Sequence, residues 1–436
     1  MPETNAPDRQ APRHLTTTTT TTSSSKSCSP SSTSLPRGKR VGYLTDVEGH
    51  LDFFCRSVQF SSVLELTERS SSAVKLEFKD ADASFVYGGD VCDHGPGDIR
   101  VSRALVDLKN RYPDRVFILA GNRDINKLRL SSELWRRFDK DPTAAVNFLK
   151  MMLQRTMGSP NAFESRRQEL TEMNGNPASD VDVVASFCDA MRPGGYMISY
   201  LEAAQLGALV GDTLFVHGAV PAGGLGFVPT TRRDGFYMDE PRAWISRLNE
   251  FYADQLAEWA ANPEVRSPNA NGDLVMDYSR PGGIEGRGVV YNDWLEDDDT
   301  IPASIPQSVA GFLHRGGIRR VVSGHRPHGE TPTVIRRSDD PELVVITADT
   351  SYSDPEAADT RGQVVCEVVV TPQETCIRGH LKDGTEYAFV VEDHPELGYR
   401  LENGGHVKAV VPDGVLVCHS AGPGTYSSDM NYELLN

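Results

Sequence analysis

Five short polar clusters carry residue types that hold divalent cations, and each directly follows a hydrophobic run. D-V-E-G-H spans Asp46 to His50, G-G-D-V-C-D-H-G spans Gly88 to Gly95, and G-N-R-D spans Gly121 to Asp124. V-H-G contains His217, and G-H-R-P-H spans Gly324 to His328. Taken singly, an Asp after a strand is an ordinary turn former or helix cap. Together and in order, the clusters offer carboxylate, amide and imidazole donors enough for two cation shells. Two divalent ions about 3.5–4 Å apart lower the pKa of a shared water and clamp the oxygens of a phosphate ester under attack. A carboxylate is well suited to bridge such a pair.

The elements that must position these groups are legible in outline. VGYLT leads to Asp46, ASFVYGG to Asp90, RVFILAG to Asn122, TLFV to His217 and RRVVSG to His325. Helical periodicity follows several of them, as in Gly97 to Asn110 with Ile99, Val101, Ala104, Leu105 and Leu108. Strands alternating with helices predict an α/β sheet core. The polar residues then fall at the C-terminal ends of their strands, the edge where open α/β sheets bind ligands. A helical insertion at about 127–210 is expected from apolar spacing in Leu134 to Met157, Asp180 to Met191 and Met197 to Leu209. A further helix is expected from Pro241 to Ala261, with Trp244, Leu248, Phe251, Tyr252, Leu256 and Trp259 as packing residues. Residues 372–436 read as a small β-rich appendage, with K-D-G-T at Lys382 to Thr385 as a hairpin signal.

The ordered clusters resemble the calcineurin-like metallophosphoesterases, whose order is D-x-H, G-D-x-x-D, G-N-H-D or G-N-H-E, a lone His, then G-H-x-H. The resemblance covers roughly Val41 to Val334 and implies a metallophosphoesterase domain, a layered β-sandwich flanked by helices, whose expected bounds are 39–371. It implies Asp90 as the ligand shared by two ions, Asp46 and His328 on the first, and Asn122, His217 and His325 on the second. Two positions depart from the family. Glu48 stands where the family has the His of D-x-H, and as a ligand it makes the first shell oxygen-rich. Such a shell favours Mn²⁺, with Fe, Zn or Mg as alternatives. Arg123 stands where the family has the His that helps protonate the leaving oxygen, oriented by the following acid, here Asp124. Arginine stays protonated and cannot act as that acid, but its fork can hold phosphate oxygens. His50 or His94 is then expected to deliver the proton. Asp93 and Asp349 are expected to support ligands, and Cys92 to be small buried filler.

Bulk properties bound the alternatives. The formal net charge is −17 and the Arg-Arg pairs, Arg136-Arg137, Arg232-Arg233 and Arg319-Arg320, are scattered along the chain, which argues against nucleic acid and anionic membranes as partners. Seven scattered cysteines without C-x-x-C spacing fit a reduced, cytoplasmic protein. No apolar stretch approaches the roughly 20 residues that span a bilayer. Residues 1–38, rich in Thr and Ser, read as a disordered tail, with organelle targeting left open. The expected activity is metal-dependent hydrolysis of phosphate esters. A phosphomonoesterase acting on a phosphorylated small molecule or phosphoprotein leads, including the protein Ser/Thr phosphatase type. The alternatives are a scaffold that keeps the fold without the chemistry, and a phosphodiesterase or nuclease of the same superfamily.

Overall fold

Each hydrophobic run that precedes a polar cluster is a strand. The computed structural model describes residues 39–269, 271–296, 301–350, 364–419 and 431–435, so the tail read as disordered lies outside the described residues. Val41–Leu44, Ser84–Tyr87 and Val116–Leu119 run parallel in the middle of a seven-stranded sheet. Thr213–Val216, Arg320–Ser323 and Asp340–Thr347 run parallel in a second, five-stranded sheet.

The two sheets stack face to face because their strands alternate. Val86 of the first sheet points to the interface, while Phe85 and Tyr87 point away to the helices. Phe215 and Val322 make the same choice in the second sheet, against Leu214, Val216 and Val321. Between the sheets Val41, Tyr43, Val86 and Leu119 meet Ala208, Phe215, Val322 and Ile346. Tyr43 stacks on Phe215 with ring centroids 5.8 Å apart. Helices Leu51–Phe60 and Asp98–Arg111 cover the first sheet, and Pro241–Ala261 and Gln307–Arg315 cover the second. The chain is thus an α/β sandwich in layers. The six aromatic and aliphatic residues singled out in Pro241–Ala261 are all buried, as packing residues should be.

The insertion between Val116–Leu119 and Ala204–Gln205 differs in detail from its sequence pattern. Helices Pro142–Thr156 and Asp180–Ala190 fall where expected. Helix Ala162–Asn174 gave no apolar stripe because its buried side chains include Arg166 and Glu169, paired internally with Asp98 and Arg100. The helix expected over Met197 to Leu209 stops at Ala203. Beyond it, Ala204–Gln205 pairs with Ile118 and Leu119, and Gly207–Val210 forms a hairpin with Thr213–Val216. Strand pairing overrides helical spacing there.

The boundary expected at 371/372 is not a break in the fold. Thr375–His380 and Glu386–Val390 extend the first sheet from Val365–Val370, joined by the hairpin read from K-D-G-T. Among the described residues beyond 371, only His406–Val411, Gly414–His419 and Asn431–Leu435 form a separate three-stranded sheet. Even this sheet is tied in: His406 Nε2 donates to Val334 O at 2.8 Å, and Lys408 is fully buried. A chain ending at residue 371 should therefore fail to melt cooperatively, whereas the whole chain should. A sharp thermal transition of the 39–371 fragment by circular dichroism would contradict this account.

Candidate metal centre

The strand ends of both sheets converge on one point. Asp46, Glu48 and Asp90 offer carboxylate oxygens that all lie within 4.8 Å of one another. Asp90, His217 and His325 form a second such group, and Asp90 belongs to both. Asn122 joins the second group through its Oδ1, 3.1 Å from His217 Nε2. Five residues here and beside it hold a left-handed backbone: Asp46, Glu48, Asp90, Asp93 and His325 have φ of 50°, 48°, 51°, 113° and 74°. Each such non-glycine residue costs on the order of 1–3 kcal/mol, which surrounding contacts must offset.

Those contacts are specific. Asp46 Oδ2 accepts from the Thr45 hydroxyl and from His325 N at 3.0 Å. Its Oδ1 is buried and has no hydrogen-bond partner among the described residues, a costly state unless a cation sits nearby. Asp90 Oδ1 accepts from Arg123 N at 2.9 Å. Two glycines allow the approach: a Cβ at Gly121 would lie 2.1 Å from Asp90 Oδ1, and one at Gly324 would lie 2.1 Å from Asp46 Oδ2.

His217 Nδ1 donates to Gly88 O at 2.8 Å. That bond fixes the tautomer and turns Nε2 toward Asn122 and Asp90 as a ligand atom. Without a cation the ring is held protonated. Burial alone would lower its pKa, but Asp90 and Asp46 raise it to about 10. Burial, with Asp90 and Glu48 adding and His217 opposing, pushes Asp46 up to about 7. Burial would raise Asp90 as well, yet His217 and Arg123 outweigh it and hold that carboxyl below its ordinary value. Burial and the charge on His217 lower His325 to about 3, so it is neutral and ready to ligate. The His325 ring packs against Tyr291, with centroids 4.7 Å apart.

Glu48 and Arg123 meet in space. Arg123 Nε lies 2.7 Å from Glu48 Oε1 and 3.6 Å from Asp90 Oδ2. Its Nη1 donates to Ser159 Oγ at 3.1 Å. The added negative charge is thus balanced by the added positive one. His94 Nε2 sits 3.7 Å from the other Glu48 oxygen. A cavity of about 130 Å³ opens over the centre, lined by Asp46, Glu48, Asp90, Asn122, Arg123 and His325, with Tyr291 and Asp349 on its wall.

Other expected site residues fall elsewhere. Asp124 accepts from Asp90 N, Val91 N and Gly121 N, each at 2.9 Å. It clamps the loop that carries Asp90 rather than orienting a proton donor, and burial followed by Asp90 raises its pKa to about 6. His50 precedes the Leu51–Phe60 helix and His94 sits beside Glu48, and neither lines the cavity. His328 does not join the centre. Its Nδ1 lies 2.7 Å from Thr333 Oγ1 and 3.2 Å from Lys408 Nζ, which has only donors to offer. Nδ1 must accept, so a neutral ring carries its proton on Nε2 and neither nitrogen presents a lone pair to a metal. Asp93 pairs with buried Lys127 at 2.7 Å. Cys92 is buried, and burial raises its thiol pKa well above the ordinary value, in keeping with filler. Sequence reasoning missed Tyr291 and the Arg326–Asp293 pair at 3.5 Å. The buried Val289 and Val290 just before Tyr291 repeat the pattern of an apolar run ending at a site residue.

No family model matches the chain, and no curated protein matches it. Among solved structures, it is similar to a cold-active protein-tyrosine phosphatase of a psychrophilic Shewanella species. The identity is 15%, 80% of each chain is covered and the TM-score is 0.43. A protein serine/threonine phosphatase from Saccharomyces cerevisiae is 14% identical, covering 76% of this chain and 73% of its own, with a TM-score of 0.34. A metallophosphoesterase from Sphaerobacter thermophilus is 11% identical, with coverage of 81% and 88% and a TM-score of 0.30. Likenesses at this level carry no weight for function, which rests on the geometry of the centre.

Metal uptake should release protons, because a cation displaces those held by His217 and Asp46. From the pKa values of about 10 and about 7, between about one and two protons should leave per chain at pH 7. The number should fall as the pH rises, Asp46 losing its share first. Calorimetric titration of metal into the chelator-treated protein, in buffers of different ionisation enthalpy, measures this; zero release at pH 7 would refute the assignment.

Proposed function

We propose that this chain is a metal-dependent hydrolase of phosphate esters, built on two divalent cations that share Asp90. One observation carries the reading: Asp90 belongs to both groups of ligand atoms that close to within 4.8 Å. The donor set fits cations. Three carboxylates crowd one side, an orphaned Asp46 oxygen faces no donor, and His217 is turned by Gly88 to present Nε2. Asp46, Glu48 and Asp90 would hold one ion, and Asp90, Asn122, His217 and His325 the other. Ions bound there supply Lewis acidity toward phosphoryl oxygens and a nucleophile at neutral pH. The oxygen-rich first set favours Mn²⁺ or Mg²⁺. The chain's own residues orient and neutralise. Arg123, fixed by Glu48 and Ser159 at the cavity wall, faces the phosphate oxygens as a charged fork. A phosphomonoester is the substrate form we favour.

A second reading draws on the same contact. Glu48 Oε1 is already engaged by Arg123 at 2.7 Å, which supports a binding scaffold that holds one ion or none. Metal content and turnover separate the two. Purified protein should carry two equivalents of divalent metal and hydrolyse p-nitrophenyl phosphate. Asp90→Asn should lose both equivalents and slow turnover at least about 10³-fold, since one change opens both shells. An Asp90→Asn protein that keeps full metal and rate refutes the dinuclear hydrolase.

Arg123 cannot donate a proton to the leaving oxygen at neutral pH. Aryl phosphates should therefore outpace alkyl phosphates by about 10²–10⁴, the usual contribution of general-acid help. A flat dependence of kcat on leaving-group pKa would show that another proton donor is present.

A further inference from the structure

Beside the candidate centre lies a larger cavity, of about 480 Å³, which shares Asn122, Arg123 and Tyr291 with the smaller one. Its volume falls in the range of small-molecule sites. The wall is unusual for a chain of net charge −17: five arginines and two aspartates line it. Arg123 stands at the junction with the centre, and Arg129, Arg232, Arg266 and Arg280 surround the far part.

These four outer guanidiniums share three carboxylates. Glu133 accepts from Arg129 Nε at 3.0 Å and from Arg266 Nη1 at 2.7 Å. Asp273 accepts from Arg266 Nε at 2.8 Å. Asp277 accepts from Arg280 Nε at 2.6 Å and lies 3.8 Å from Arg232 Nε. That Arg232 nitrogen is buried and makes no hydrogen bond among the described residues. Each guanidinium carries five N–H donors, so the acids hold the forks in place while leaving donors in excess. Fixed forks with surplus donors match phosphate oxygens.

We infer that the larger cavity is a subsite for a second phosphoryl group, so that the substrate is a small molecule bearing two phosphates. The inference rests on the hydrolase reading above and names its substrate class. One phosphoryl group sits at the centre beside Arg123, and the other sits among Arg232, Arg266 and Arg280. Met157 and Met276 line the same cavity and give the organic body an apolar surface. A phosphorylated protein side chain carries one phosphate only and would leave the outer forks unmatched.

The test pairs fructose 1,6-bisphosphate with fructose 6-phosphate as probes, on the full chain. With Mn²⁺, kcat/KM should favour the bisphosphate by at least about tenfold, the scale of one charge-assisted pair. Calorimetric affinity for the slow Asp90→Asn chain should show a gap of similar size. An Arg232→Ala/Arg280→Ala chain, checked for its fold by circular dichroism, should bring both ratios toward one; Arg280→Lys should keep part of the gap. Equal affinities for the two sugars, or a gap that survives the double change, overturns the subsite. Tighter binding of an acidic phosphopeptide than of the bisphosphate overturns the small-molecule assignment. A chain that hydrolyses neither sugar phosphate nor p-nitrophenyl phosphate, yet keeps an arginine-dependent binding gap, overturns the hydrolase reading and leaves the subsite standing.

Discussion

Asp46, Glu48 and Asp90, all buried, bring three carboxylates within 4.8 Å of one another. Like charges at such distances are expensive where the dielectric is low. The surrounding structure is arranged to hold them there regardless. Asp124 ties down three backbone amides beneath Asp90, Thr45 and the His325 amide hold Asp46, and Arg123 meets Glu48. The left-handed backbone at each of the three carboxylates belongs to the same bargain. Residues that would relax elsewhere are pinned where a cation can use them.

The Glu48–Arg123 pair sets opposite charges side by side at the centre, 2.7 Å apart. Imidazoles at both positions would offer a neutral ligand and a proton donor. A carboxylate and a guanidinium offer a harder ligand and a permanent cation instead. Arg123 places a fixed positive fork, and not a titratable acid, on the cavity wall. Asp93 and Lys127 extend this pairing inward, with Arg123 Nη1 3.9 Å from Asp93. The polar floor of the site is therefore an ionic lattice.

Much of the arrangement was legible because it is periodic and local. Strands such as Ser84–Tyr87 alternate cleanly, and a polar residue directly after an apolar run marks a sheet edge. Asp46, Asp90, Asn122, His217 and His325 could be placed this way, while Glu48 and the ligand roles came from the resemblance of the motifs. What escaped depends on partners distant in sequence. The fate of His328 is decided by Lys408, eighty residues later, and no spacing rule carries that information. Helix Ala162–Asn174 hid because it buries charge instead of an apolar stripe. The 371/372 boundary misled because a strand added at a sheet edge has the same sequence pattern as a strand in a separate unit. The arginine-lined cavity escaped because its walls come from 122–158, 232 and 266–291, where no single segment looks basic.

Lys408 also has a bearing on how the molecule is made. Its ammonium reaches under the loop that carries His325, bonding to His328 and Thr333, while Asp46 comes from the first described strand. The two halves of the centre thus wait for each other across most of the polypeptide. During synthesis the early loops would emerge long before the brace that steadies their counterpart. Closure over such separations is slow, so the cation-binding geometry should be among the last features a nascent chain acquires.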